Sequence, residues 1–183
     1  MTDDEWLYDL DGYDTEGYDQ NGYDRSGRDP KGIADGPDGY AKRKEISKLP
    51  TYTKYADLKK LMKDETNCNP FVGAGISYRK EPNTCILRSV DDTKFYDDDL
   101  TDINLVKYTL AGKSGDQQVN SRGNRSLLDP DLNHIYLYRV KDDGKKKTWV
   151  WYGEYTIVDR TTKQHIGDDS MMREIIKLSL KRV

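Results

Sequence analysis

The sequence is short of the residues from which most small catalytic and metal sites are built. Of its 183 residues two are cysteine, Cys68 and Cys85, and two are histidine, His134 and His165. Two thiols without CxxC spacing are too few for a disulfide framework, and so few thiols and imidazoles leave a zinc cluster or a histidine-based nuclease centre unsupplied. Long apolar runs are missing too. None approaches the ~18 residues of a membrane span, and the start, Met1-Thr2-Asp3-Asp4-Glu5, is acidic where a secretory leader is basic and then apolar. Nothing resembles a nucleophile elbow or a P-loop, and the acids of Asp142-Asp143-Gly144-Lys145 sit where a hairpin turn is expected. A non-enzyme with no metal, no cofactor and no membrane is the expectation. Hydrophobic residues make up 34% of the chain, against roughly 45–50% in an average globular protein, so part of it has no core of its own.

Charge divides the chain. Residues 1–40 hold twelve acids against Arg25, Arg28 and Lys31, a net −9, whereas residues 41–183 carry a net +6. A basic body gathers polyanions, and an acidic tail competes for the same surface.

The tail is a repeat. Leu7-Tyr8-Asp9 is followed by Gly12-Tyr13-Asp14, Gly17-Tyr18-Asp19, Gly22-Tyr23-Asp24 and Gly27-Arg28-Asp29, with a last Gly32. A period of five matches neither the 3.6 of a helix nor the 2 of a strand, so the tyrosines would not line one face of either. Glycine at every fifth place instead favours a chain of turns in which Asp bonds nearby backbone. An EF-hand fails in each register, because Leu7 or a glycine falls on the first-ligand position. Residues 1–40 are thus a low-complexity tail, disordered or ordered by a protein partner or by other copies of the chain.

Residues 41–68 read as a linker, continuing from Ala34 to Pro50, and a short helix over Thr53 to Asp64 with Thr53 as its cap and Leu58, Leu61 and Met62 at helical spacing. From residue 69 to 183 the apolar runs are short, β-branched and aromatic. Cys85 to Val90, Asn104 to Thr109, His134 to Val140, Thr148 to Asp159 and Arg173 to Leu180 are expected strands, with Gly153 marking a bulge. Five or more strands with little helix make a mainly β (α+β) body, a small barrel or sandwich.

Three stretches add a resemblance. Tyr96-Asp97-Asp98-Asp99 is followed nine residues after Asp99 by Tyr108-Thr109. Asp116-Gln117 precedes Asn124-Arg125-Ser126-Leu127. Ile135-Tyr136-Leu137-Tyr138-Arg139-Val140 precedes Trp151-Tyr152-Gly153-Glu154-Tyr155. In this order they resemble the SRA (YDG) domain, a PUA-like β-barrel that recognises modified cytosine by flipping it out of DNA. The resemblance covers roughly residues 70–183 and implies one such barrel with one or two short helices, beside an extended N-terminal tail. It also implies a base-binding pocket in which Tyr96 and Tyr108 sandwich the base, Asp99 accepts the cytosine N4 amino group and Thr109 contacts the remaining edge. The partner implied is DNA, with modest selectivity for 5-modified cytosine.

Several positions depart from the family. The long loop after Tyr-Thr that carries an Asn-Lys-Arg finger is replaced by Leu110-Ala111-Gly112-Lys113-Ser114-Gly115, so strand-symmetry reading is not implied. Phe95 stands beside the first pocket tyrosine in place of glycine, Leu110 replaces a pocket-lining glycine, and Trp151-Tyr152 replaces Tyr-Asp of the signature. The short form is more similar to SRA-like modules of bacterial and viral restriction or helicase proteins. Lys113, Arg122, Arg125, Lys145, Lys146 and Lys147 are the candidate phosphate contacts, since each cation that displaces counterions adds affinity; as loop charges they would serve solubility alone. Asp116, Gln117 and Asn124 are read as organising a connection from within, and Trp149, Trp151, His134 and His165 as structural. Two functions remain open. The first is a DNA-binding module. The second is a structural or assembly protein, such as a minor virion component, whose barrel packs and whose tail docks on neighbours. Either belongs inside a cell, in the nucleus or a virus particle. An open pocket favours the first, a filled one the second.

Overall fold

A computed structural model describes residues 14–19, 23, 24, 28, 30, 36–69, 75–90, 96, 98–142 and 144–183, the side chains of 36–40 and of Arg122 excepted. Phe95, Asp97, Asp143 and the pentad positions at Leu7-Tyr8-Asp9, Gly12-Tyr13, Gly22, Gly27, Asp29 and Gly32 lie outside these residues. The chain divides into two compact units, Met1–Lys48 and Leu49–Val183.

In the first unit the period of five has a physical unit, closed twice by one residue. Asp14 donates its N–H to the Tyr18 carbonyl (2.8 Å) and accepts the Tyr18 N–H on Oδ1 (2.9 Å). Asp19 does the same with Tyr23, and Asp24 with Arg28. The aspartate side chain thus satisfies backbone that neither helix nor strand would pair. Gly17 sits at φ +87° inside the first of these loops, where a side chain would be strained. Helix α1 (Gly36–Ser47) follows, where the sequence suggested a linker. Its polar and basic residues recur at no helical period, so no apolar stripe announces it.

In the second unit the strands are β1 (Thr51–Tyr52), β2 (Ile76–Arg79), β3 (Thr84–Val90), β4 (Leu105–Thr109), β5 (His134–Asp142), β6 (Lys147–Ile166) and β7 (Met172–Arg182). Helices α2 (Tyr55–Thr66) and α3 (Arg122–Leu127) lie between them. The sheet runs β2-β3-β5-β6-β7-β4, with β1 on β6, and every pairing is antiparallel except β3 with β5. Tyr108 on the last strand donates its hydroxyl to the carbonyl of Gly75, beside the first strand, at 2.9 Å. The two ends of the sheet therefore meet, as in a barrel, which leaves few edges unpaired.

α2 belongs to this unit. Leu58 and Met62, spaced four apart, pack with Cys68, Ile86, Tyr138, Val140 and Trp151, and the Trp151 indole N–H donates to Glu65 at 2.8 Å. Lys54, not Thr53, is the N-cap and makes no side-chain cap bond; the packed face, rather than a cap, holds the helix. The bulge expected at Gly153 is present. Leu137 pairs with Gly153 but Tyr138 pairs with Trp151, so Tyr152 is the extra residue. Gly153 takes φ +91° there. Both residues at the bulge are buried, Trp151 against α2 and Tyr152 with its hydroxyl on the Leu100 carbonyl. β6 runs well past the expected Asp159, because its polar residues 160–165 and Ile166 pair with β7 backbone although they cover no core.

Candidate functional site

The C-terminal ends of β3 and β4, the segment before β4 and the connection after it enclose a cavity of ≈ 250 Å³. Gly75, Arg88, Val90, Tyr96, Asp98 and Tyr108 line it, joined by Thr109, Ala111 and Lys113 on the side of β4 and its following loop. Tyr96, Tyr108, Thr109 and Lys113 are thus brought together. Asp99 is not among them.

The acid at the cavity is Asp98, one residue earlier, and the reason is backbone alternation. Asp99 forms a two-way bridge with Lys107, each N–H donating to the other's carbonyl at 2.8 Å. Residues facing each other across such a bridge share a face, so Asp99 follows Lys107 outward. There its Oδ1 accepts from the Thr101 N–H (3.0 Å) and hydroxyl (2.7 Å). Asp98 therefore takes the opposite face with Tyr108. One of its oxygens accepts the Thr109 N–H at 2.7 Å and the other the Ser89 hydroxyl at 2.7 Å. The Thr109 hydroxyl bonds the carboxyl as well, and a carboxylate with about four lone-pair sites still has room for one more donor.

Burial pushes the Asp98 carboxyl above the ordinary carboxylate range, against the opposing pull of three hydrogen bonds, from the Ser89 side chain and from the Thr109 backbone and side chain, and of the Lys177 charge. Lys177, buried at 6% exposure, lies opposite Thr109 in the β4–β7 pairing. A carboxyl whose folded pKa is raised adds stability that is complete at pH below its unfolded value and is lost as the pH rises through the folded one. Asp98→Asn is therefore expected to unfold at a higher temperature than the parent at pH 7, and this advantage shrinks as the pH is lowered. Calorimetry of both proteins across pH 3–7 checks it; an advantage that is constant with pH contradicts it. Tyr108 is a fixed wall. It is 3% exposed, held through its hydroxyl by Gly75, and burial carries its own pKa well upward.

The connection after β4 carries Ala111 and Lys113 to the cavity, and side-chain amides hold it there. Asn124, fully buried on α3, accepts the Ala111 N–H (2.8 Å) and donates to the carbonyls of Ala111 and Gln118 (both 2.9 Å). Gln117 accepts the Ile176 N–H at 2.7 Å and donates to the Leu110 carbonyl. Asp116 accepts the Glu174 N–H at 2.7 Å, and Arg173 donates to the Gly112 carbonyl at 2.6 Å. Gly112 has φ +134°, and a Cβ there would meet Gln117 Cγ at 3.4 Å. These amides organise the loop and do not face the cavity.

The candidate phosphate contacts are spread over three places. Lys113 is exposed at the cavity rim. Arg125 is exposed on α3 and lines a shallower hollow with Arg160 and Asp129; Arg122 is on the same helix. Lys145 and Lys146 are exposed in the β5–β6 turn, and Lys147 pairs with Asp142 at 3.1 Å. Because Val90 pairs with Val140 in parallel, that turn lies beyond the same end of the sheet as Arg88 and Val90. Arg88, Ser89, Asp98 and Lys177 are the polar residues at or behind the cavity, and Gly75, Val90 and Ala111 the remaining lining, that the sequence did not single out. His134 is tied to Glu154 at 2.6 Å and stacked on Tyr136, far along β5 from Val140. Among the described residues no group of three or more His, Cys, Asp or Glu is placed to hold a metal ion.

Residues 71–183 match a family model described as the ScoMcrA-like SRA domain. Comparison with solved structures finds the sulfur-binding and SRA domains of ScoMcrA complexed with phosphorothioated DNA, 19% identical, covering 74% of this chain and 39% of that one at a TM-score of 0.51. KRYPTONITE in complex with mCHH DNA, a peptide and SAH is 16% identical, over 74% and 31% of the two chains, at 0.51. The Type IV phosphorothioation-dependent restriction endonuclease ScoMcrA is 19% identical, over 74% and 27%, at 0.52. The chain spans well under half the length of these structures, and at such identities the likeness is one of fold. A comparison with curated proteins gave no match. The β-sheet wrapped around a tyrosine- and aspartate-lined cavity, the order of its motifs and a match over more than half its length lead to one conclusion: this chain belongs to the ScoMcrA-like SRA domain family.

Proposed function

We propose that the chain is a DNA-reading module, without a chemical step of its own, that receives a 5-modified cytosine turned out of the duplex. The observation that carries this reading is the half-buried Asp98 carboxylate in an open ≈ 250 Å³ cavity beside Tyr96 and Tyr108. A cavity of about 150 Å³ already admits benzene, so the space suits a pyrimidine with a substituent. Extruding a base costs a few kcal/mol of pairing and stacking, and each aromatic contact returns ~1–3 kcal/mol. The remaining acceptor capacity of Asp98 suits the N4 amino donor that separates cytosine from thymine. Val90 and Ala111 supply an apolar wall for a C5 group, worth about 1–3 kcal/mol in discrimination. Two of the solved structures named above are complexes with phosphorothioated and with mCHH DNA, and the cavity is open rather than filled, which disfavours a purely packing role.

In this reading the acidic first unit competes with DNA for the basic second unit. The test is fluorescence anisotropy with short duplexes carrying cytosine, 5-methylcytosine or 5-hydroxymethylcytosine over a salt series. One modified duplex should bind about 10-fold more tightly than the plain one; equal affinity for all three contradicts the reading. Removal of residues 1–35 should tighten binding several-fold at low salt and little at high salt, where screening removes the competition. Unchanged affinity at low salt rejects the competing role of the tail.

A further inference from the structure

The β6–β7 hairpin ends in a cluster that the barrel does not use. Ile166, Met171 and Met172 are 55%, 66% and 63% exposed, three of the largest exposed apolar side chains among the described residues, and they occupy one turn. The turn is ordered. Gly167 donates to the Met171 carbonyl (2.9 Å), Ser170 to the Gly167 carbonyl (3.1 Å), and the exposed Asp169 accepts the Met171 N–H on Oδ1 (3.0 Å). It is also fixed to the rim of the cavity: the Asp168 N–H donates to the carbonyl of Lys113 at 3.0 Å, and Lys113 lines the cavity. Arg173, at the base of the turn, holds Gly112 of the same rim. Exposed methionines and isoleucine on a rigid turn cost solubility, and no packing within the barrel explains them.

A base that leaves a duplex creates two problems beside the pocket that receives it. The stack has a gap, and the guanine left behind presents N1–H and N2–H₂ donors with no partner. Apolar side chains, Met and Ile among them, are what proteins insert between base steps. A carboxylate, which only accepts, matches two adjacent donors. The exposed Asp168 lies between the apolar residues of this turn.

We propose that the β6–β7 turn enters the duplex at the vacated position, with Ile166, Met171 and Met172 closing the gap in the stack and Asp168 accepting from the orphaned guanine. This rests on the base-extrusion reading above and assigns a second element to it, on a hairpin rather than on the short loop after Tyr108-Thr109. The turn would then favour guanine over other bases opposite the extruded one, while reading nothing of the modification on the other strand.

The test uses the full chain and two probes, a duplex and a single strand carrying the same modified cytosine. A single strand has no gap and no orphaned guanine. The Met171→Ser, Met172→Ser double variant should lose about 10-fold or more in duplex affinity and change less than 2-fold on the single strand. Asp168→Ala should weaken binding when guanine is opposite and have no effect opposite an abasic site. Asp98→Ala serves as the separate reporter of the pocket. If the turn variants weaken both probes equally or neither, while Asp98→Ala still lowers the affinity for the modified duplex, the turn is not the inserted element and the pocket reading survives. If Asp98→Ala leaves that affinity unchanged, the pocket reading falls and the proposal with it.

Discussion

Asp98→Ala is expected to lower the affinity for a duplex containing the preferred modified cytosine by about 100-fold, whereas Asp99→Ala lowers it by less than 3-fold. The two acids are neighbours and differ only in the face of the backbone they occupy. Removing Asp98 leaves the N4 amino group of an enclosed base without an acceptor, a loss of about 1–3 kcal/mol for the unpaired donor. It also removes the acceptor of the Thr109 N–H and the Ser89 hydroxyl. The Asp99 side chain, by contrast, holds the exposed turn at Thr101 and does not line the cavity. Equal effects of the two substitutions, measured by anisotropy at fixed salt, would contradict the assignment. Tyr108→Ala is a poor probe by comparison, because emptying a 3%-exposed aromatic site costs about 3–5 kcal/mol of stability.

Asn124→Leu is expected to have a large effect on stability. Its amide is fully buried and makes three hydrogen bonds to the backbone of the connection that carries Ala111 and Lys113. Leucine has the same number of side-chain heavy atoms and no polar one, so the Ala111 N–H and the carbonyls of Ala111 and Gln118 lose their partner together. At about 1–3 kcal/mol for each polar group that stays out of water, the variant should lose on the order of 3–5 kcal/mol, and its Tm should fall by roughly 10–20 °C. Arg125→Ala, at the next, exposed position of α3, should change Tm little. A small Tm change for Asn124→Leu in differential scanning calorimetry would mean that the connection is held by Gln117, Asp116 and Arg173 alone.

The difference between these two residues shows what a sequence discloses. Asn124 and Gln117 were readable as internal organisers, because amides near glycines in a long connection have backbone to satisfy. Strands β3, β4, β5 and β7 were readable from their apolar and aromatic runs, and the bulge from Gly153. The pocket acid was not. Counting nine residues back from Tyr108 gives Asp99, and within Asp97-Asp98-Asp99 no change of residue type marks which carboxylate points inward. That is fixed by the bridge between Asp99 and Lys107, a pairing outside any regular strand. Alternation in β4 carried a usable hint: Val106 and Tyr108 are buried and Lys107 less so, and a partner of Lys107 must share its outward face. α1 was hidden because its surface has no apolar side, and the far end of β6 because strands need backbone partners rather than apolar residues.

The account depends on one event, the departure of a cytosine from its pair, and the imino proton of the opposite guanine reports it directly. In a duplex with one modified cytosine, that N1–H signal should leave its base-paired position in the proton NMR spectrum when one equivalent of the protein is added. The signals of pairs farther along the duplex should remain, and saturating Asp98→Ala should leave the reporter signal in place. A parent complex at saturation in which every imino signal keeps its base-paired position would contradict the central claim.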